Sequence, residues 1–154
     1  MGTLVGVISD THGLLRPEAI AALNGASLIL HAGDIGRPEV LAELQAIAPT
    51  IAVRGNNDKG DWAAAITERA TVTVENLQIY LLHIIQELDF DPQAQGIQVV
   101  ISGHSHKPAI AENQDILWLN PGSAGPRRFK LPISVAHLYV TGTTAQAKII
   151  DLNI

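Results

Sequence analysis

Cysteine is absent from this 154-residue chain. That excludes disulfides, and it removes thiolates from any metal site, so a cysteine-based structural zinc knuckle is ruled out. Aromatics are scarce at 4%, and ten Lys or Arg stand against fifteen Asp or Glu, for a net charge of −5. A sequence-independent nucleic-acid binder carries a basic stripe, because neutralised phosphates supply its affinity. The densest basic cluster here is "PRRFK", residues 126–130, so stable nucleic-acid binding is not expected. No stretch reaches the roughly 18 consecutive apolar residues of a membrane span. The opening "MGTLVGVISD" has neither a basic segment nor a long apolar run, so it does not read as a signal peptide. Gly6 breaks the myristoylation pattern after Gly2. The expectation is a cytoplasmic protein with no membrane association.

What is present is a 47% hydrophobic chain of the size of one domain, residues 1–154, able to bury about 70% of its unfolded surface. "TLVGVIS", "SLILH" and "TIAVR" read as strands, separated by helices that begin at Pro17 and Pro38. That spacing predicts parallel strands with crossover helices. The second half changes rhythm. "ATVTVE" and "LQIYLLH" form a hairpin around Glu75 and Asn76, and a helical turn is expected near "DPQAQG". "IQVVIS" is a further strand; "AIAE" and "ILWLN" flank the turn "NQD"; "PISVAHLYV" and "AQAKIIDLN" close on "TGTT". Helices early and strands late imply two packed sheets with helices on at least one outer face.

Polar residues recur where these strands end. The first strand delivers Asp10 and His12, the second Gly33 and Asp34, and the third Gly55, Asn56, Asn57 and Asp58. His83 ends the hairpin's return strand, and "VVISGHSHKP" delivers His104 and His106. Carboxyl ends of parallel strands gather on one edge, where open α/β folds bind ligands. Imidazole and carboxylate suit Mn, Fe, Ni or Zn. Two such ions about 3.5–4 Å apart form the clamp that hydrolyses phosphate esters. Gly33, Gly55 and Gly103 are expected to turn the backbone sharply beside these residues.

In this order "DTHG", "HAGDI", "RGNND", "LLH", "SGHSH" and "NPGS" resemble the calcineurin-like metallophosphoesterase superfamily, and the short length and "NPGS" resemble its YfcE-type phosphodiesterase branch. The resemblance runs from residue 5 to about 140. It implies an α/β fold, a four-layer α/β/β/α sandwich of two mixed sheets, and two divalent metal ions, with Mn²⁺ foremost and Ni²⁺, Fe²⁺ or Zn²⁺ as alternatives. It implies that Asp10, His12, Asp34 and His106 hold one ion, and that Asp34 bridges to a second held by Asn56, His83 and His104. A hydroxide between the ions would attack phosphorus in a small phosphate ester substrate. Asn57 and Asp58 are the candidate catalytic residues outside the ligand set. Many superfamily members carry His where this chain has Asn57, which has no proton to give, and the run after His83, "HIIQELDF", is more apolar than the branch usually shows.

Around this set, His31 reads as a buried supporting residue and His137 as structural. "NPGS" either backs the site through Asn120 or Ser123 or is a turn. Arg127 and Arg128 either meet a substrate phosphate or are a solvated pair. Trp62 and Trp118 read as core or interface. The leading function is a dinuclear-metal-dependent phosphodiesterase. The alternatives are a retromer-subunit-like protein-binding scaffold, which lost ligands would favour, and a phosphomonoesterase. A homo-oligomer is compatible with the sequence.

Overall fold

A computed structural model describes residues 2–154. β1 (Thr3–Ile8), β2 (Leu28–His31) and β3 (Thr50–Ala52) are parallel, joined by α1 (Pro17–Leu23) and α2 (Pro38–Gln45). Each helix starts on its proline, whose missing amide hydrogen is no loss in a first turn. α1 is released at Gly25, whose φ of +93° suits glycine. β9 (Ser134–Thr141) pairs antiparallel to β1, and β10 (Thr144–Asp151) antiparallel to β9, giving the order β10-β9-β1-β2-β3.

The second sheet runs β4-β5-β6-β8-β7. β4 (Arg69–Val74) and β5 (Leu77–Leu82) are the expected hairpin; β6 (Val99–Ile101) and β8 (Ile116–Asn120) run parallel to β5, and β7 (Ala109–Asn113) is an antiparallel edge. The β7–β8 turn places Gln114 and Asp115 at positive φ, as a tight hairpin requires.

Strand alternation sorts the core. From the first sheet Val5, Val7, Leu30 and Leu138 point inward, and Ile79, Leu81, Val99, Ile101 and Leu119 meet them from the second. On the outer face of the first sheet Ala19, Leu23, Val40 and Leu44 of the two helices cover Ile8, Ile29 and Val135. The outer face of the second sheet is covered more thinly. A 3₁₀ turn at Ile85–Glu87 and the loop after it lay Ile85, Leu88 and Phe90 over Tyr80, Leu82 and Val100. The four-layer sandwich stands, with an irregular segment as its fourth layer. "DPQAQG" forms consecutive turns, in which Pro92 O accepts from Gln95 and Ile97, and the sequence reading missed the short helix α3 (Asp61–Ala64). No helix among the described residues is long and apolar enough to cross a membrane.

Candidate metal centre

The ladder logic of the parallel strands continues past their ends. Asp10 N donates to Gly33 O at 3.0 Å, and His12 N to Asp34 O at 2.9 Å. This keeps the loops after β1 and β2 side by side. The second sheet is tied to them by several hydrogen bonds, among them His104 N donating to Asp10 Oδ2 at 3.0 Å. Gly103 makes room for that approach, because a Cβ there would strike Ser9 Oγ and Asp10 Oδ2. Gly55 likewise lies against Asp34. Of the three glycines expected to turn the chain sharply, Gly33 has the left-handed φ, +104°. At Gly55 and Gly103 the requirement is space.

The strand ends gather two groups of donor atoms. Asp10, His12 and His106 form one, and Asp34, His83 and His104 the other; within each group the atoms lie within 4.8 Å of one another. His106 Nε2 is 3.3 Å from Asp10 Oδ1 and 3.4 Å from His12 Nε2. Asp34 Oδ2 lies between the groups, 3.2 Å from His83 Nε2 and 3.7 Å from His12 Nε2. Asn56 joins the second group through its Oδ1, 3.2 Å from His104 Nδ1. All seven residues of the expected ligand set therefore meet at the edge where the two sheets close.

The electrostatics of this cluster are those of a cation site. Burial would raise the Asp34 carboxyl, but the His83 imidazole, the Asn57 amide and His12 hold it well below the usual carboxylate range. Burial is likewise overcome at Asp10 by His106, His83 and Ser9. His83 is pushed up: its own burial opposes charge, yet Asp34, Asp10 and the Ala32 carbonyl favour it. In the neutral ring, Nδ1–H donates to Ala32 O at 2.7 Å, which leaves the Nε2 lone pair aimed at Asp34. Buried Asp10 Oδ1, His83 Nε2 and His106 Nδ1 have no hydrogen-bond partner. Buried polar atoms are nearly always satisfied, and a divalent cation would satisfy Asp10 Oδ1 and His83 Nε2. The oxygen and imidazole donors present fit such an ion.

Five of the seven residues are strained. Asp10, His12, Asp34, His104 and His106 have φ between +48° and +72°, a region that costs a non-glycine residue about 1–2 kcal/mol. Local rules do not choose this conformation; the loops impose it.

The neighbouring residues fall into place differently. Asp58 does not face the cluster. Its Oδ2 accepts from Ile35 N and Gly55 N and its Oδ1 from Gly36 N, at 2.9–3.1 Å. Asn57 donates its backbone amide to Asp34 Oδ1 at 2.9 Å and its side-chain amide to Oδ2 at 3.1 Å. Buried His31 accepts from Gly33 N at Nδ1 and meets Thr11 Oγ1 at Nε2, while that hydroxyl donates to Ile35 O. "NPGS" backs the strand ends: Asn120 donates to Gly103 O, and Ser123 Oγ to Asp10 O. Arg127 turns away, donating to the carbonyls of Leu131 and Ile154, and Arg128 is exposed. Trp118 packs on the second sheet's outer face and Trp62 near the helices. The sequence reading missed Ser9, whose hydroxyl donates to Asp10 Oδ2 at 2.6 Å.

The sequence profile of the calcineurin-like phosphoesterase superfamily domain matches residues 4–143. A probable metallophosphoesterase of Methanothermobacter thermautotrophicus is 38% identical over 96% of this chain and 91% of its own length. A phosphodiesterase of Methanocaldococcus jannaschii is 29% identical over 77% of this chain and 82% of its own length. Among solved structures, Vps29 of Chaetomium thermophilum superposes with a TM-score of 0.79 at 21% identity, covering 96% of both chains.

Two outcomes follow from the strain and from His31. In metal-free protein, His104→Gly should be more stable than His104→Ala by about 1 kcal/mol, because glycine adopts positive φ freely and the exposed ring leaves no cavity. Equal denaturation midpoints would mean that the loop relaxes without strain. Burial pushes His31 down to about 4 against the pull of Asp10 and Asp58. Between pH 6.5 and 4 the unfolded chain therefore takes up a proton that the native one refuses, and stability falls with pH. His31→Asn keeps an acceptor for Gly33 N and should flatten that segment of the unfolding free-energy curve; parallel curves for the two proteins would refute it.

Proposed function

This chain belongs to the calcineurin-like phosphoesterase superfamily, and we propose that it is a dinuclear-metal-dependent phosphodiesterase acting on small or activated phosphate esters in the cytoplasm. The observation that carries this reading is the convergence of two donor groups on the shared Asp34 carboxylate, with buried lone pairs left unpartnered. Asp10, His12, Asp34 and His106 would hold one ion, and Asp34, Asn56, His83 and His104 the other, with Mn²⁺ as the proposed metal. Two such ions supply an activated water and neutralise charge on the non-bridging phosphoryl oxygens.

The chain's own residues set the rest. Asp34 presents Oδ2 to both groups, and Asn57 fixes the plane of that carboxylate with two hydrogen bonds. Asp10 presents Oδ1 alone, because Ser9 and the His104 amide engage Oδ2. Asp58 is a positioning residue, binding the loops after β2 and β3 into one unit. Hydrolysis joins a water oxygen to phosphorus and breaks one ester P–O bond. Asn57 can donate a hydrogen bond but transfers no proton, so leaving groups that depart as stable anions are favoured. The relative that carries the name phosphodiesterase supports a diester substrate. The scaffold reading, in which ligands would be lost, is disfavoured because every ligand position retains an Asp, Asn or His.

Chelation should abolish hydrolysis of an aryl phosphodiester, and Mn²⁺ should restore it. Full activity in protein shown by elemental analysis to be metal-free would sink the proposal. Asp34→Asn should lower both turnover and bound metal more than Asn56→Ala does, since it removes a charge shared by both positions. Near-native turnover and metal content in the Asp34 variant would remove that residue from the centre.

A general acid is worth about 10²–10⁴-fold when the leaving group is poor. Asn57→His should therefore raise kcat/KM on an alkyl monoester relative to an aryl diester, compared at matched metal occupancy. An unchanged ratio would show that position 57 does not face the leaving group.

A further inference from the structure

Beside the donor cluster the surface opens into a cleft of about 190 Å³. Buried His83, exposed Asn56 and the apolar Leu82 and Ile84 are among the residues that line it. Its size is below the roughly 300 Å³ at which pockets for drug-sized ligands begin. It suits a single ring or a short chain.

Both arginines at the cleft are paired, and the Glu87 carboxylate also lines it. Arg54 Nη2 lies 2.8 Å from Glu68 Oε1. Arg69 reaches Asp89 Oδ1 at 2.9 Å and donates to Glu87 O at 2.6 Å. An anionic group would have to break one of these pairs and would meet Glu87, so the cleft disfavours an anionic occupant. The apolar run after His83 is divided between two tasks. Ile85, Leu88 and Phe90 pack on the outer face of the second sheet, and Ile84 lines the cleft.

A phosphodiester has two arms, one that leaves and one that stays. In an in-line displacement the leaving arm departs opposite the attacking oxygen, away from the donor cluster. A cleft lined by the cluster's own His83 and Asn56 would lie beside the phosphorus of a diester bound at the cluster, on the side of the retained arm. We infer that this cleft receives the retained arm, and that the substrate class is a phosphodiester whose retained arm is compact and not anionic. This inference rests on the phosphodiesterase reading above, and Ile84 is its specificity-determining residue.

Two experiments test it. Ile84→Trp fills the cleft. With metal content matched to the native protein, kcat/KM should fall about 10-fold or more on bis(para-nitrophenyl) phosphate, the range that apolar pocket contacts command. Methyl para-nitrophenyl phosphate has the same leaving group and a small retained arm, and its kcat/KM should change little. Equal losses on both esters, or no loss on either, would overturn the assignment. The second readout does not depend on turnover. Because the chain has no cysteine, Ile84→Cys introduces a single thiol in the cleft. Methyl phenylphosphonate, whose ring is fixed to phosphorus by a P–C bond and so can only be the retained arm, should slow its alkylation by iodoacetamide, and inorganic phosphate should not. Absence of protection by the phosphonate, or equal protection by phosphate, would refute the subsite. If the phosphonate protects while the native protein hydrolyses no diester, the cleft stands and the phosphodiesterase reading fails.

Discussion

Asp10 is fully buried and Asp34 is 2% exposed, and an ionised carboxylate withdrawn from water costs several kcal/mol unless its oxygens are answered. Much of the architecture at this edge is the answer. Ser9, the His104 amide and the two donors of Asn57 account for three of the four carboxylate oxygens. The fourth, Asp10 Oδ1, faces His106, His12 and His83 without a hydrogen bond. Hydrogen bonding thus meets the demand up to the point where a cation would complete it. Without one, Asp34 and Asp10 draw the His83 imidazole toward its protonated form against its own burial.

The same demand accounts for the strain. A carboxylate or imidazole at the last residue of a strand would continue along the strand and diverge from its neighbours. Left-handed backbone at Asp10, His12, Asp34, His104 and His106 bends each side chain back into the cluster. Glycine would adopt the conformation at lower cost but brings no donor atom. The chain therefore places donors where glycine would be easier and puts glycines beside them, at positions 33, 55 and 103, where a side chain would collide with His83, Asp34 or Ser9. The hydrophobic packing between the sheets holds the strained loops in place, since Val7, Leu30, Leu81 and Ile101 lie close behind them.

Apolar runs ending in Asp, Asn and His made the strand ends legible, and the ordered motifs made the donor set legible as a set. What stayed hidden depends on direction in space. An aspartate after Asn-Asn reads the same whether it faces a substrate or three backbone amides, and Asp58 proved to do the second. Ser9 looks like the tail of a strand, and its bond to Asp10 follows from the turn at positive φ. Arg127 pairs with the carbonyl of Ile154, a contact across 27 residues that no local pattern announces. The run "HIIQELDF" reads only as more apolar than the branch usually shows, whereas the fold gives Ile84 to the cleft and Ile85, Leu88 and Phe90 to the outer layer. The fourth layer was expected as helix because layered α/β folds bury sheet faces that way; here a few large side chains suffice.

The chain carries −5 overall, an unpromising balance for binding phosphate esters. The donor set contributes two negative charges, from Asp10 and Asp34; its other members are neutral when they bind metal. Two divalent ions would bring four positive charges, leaving this edge locally positive by two. In the proposed reading a diester monoanion would be attracted there, and the field would be strong because Asp10, His83 and His106 lie on the buried side. The cleft beside it has its arginines already paired and adds no further attraction for anions. On the proposed assignment, phosphate recognition and arm recognition are separated: the donor cluster would select for charge, and Ile84 for the compact group attached to it.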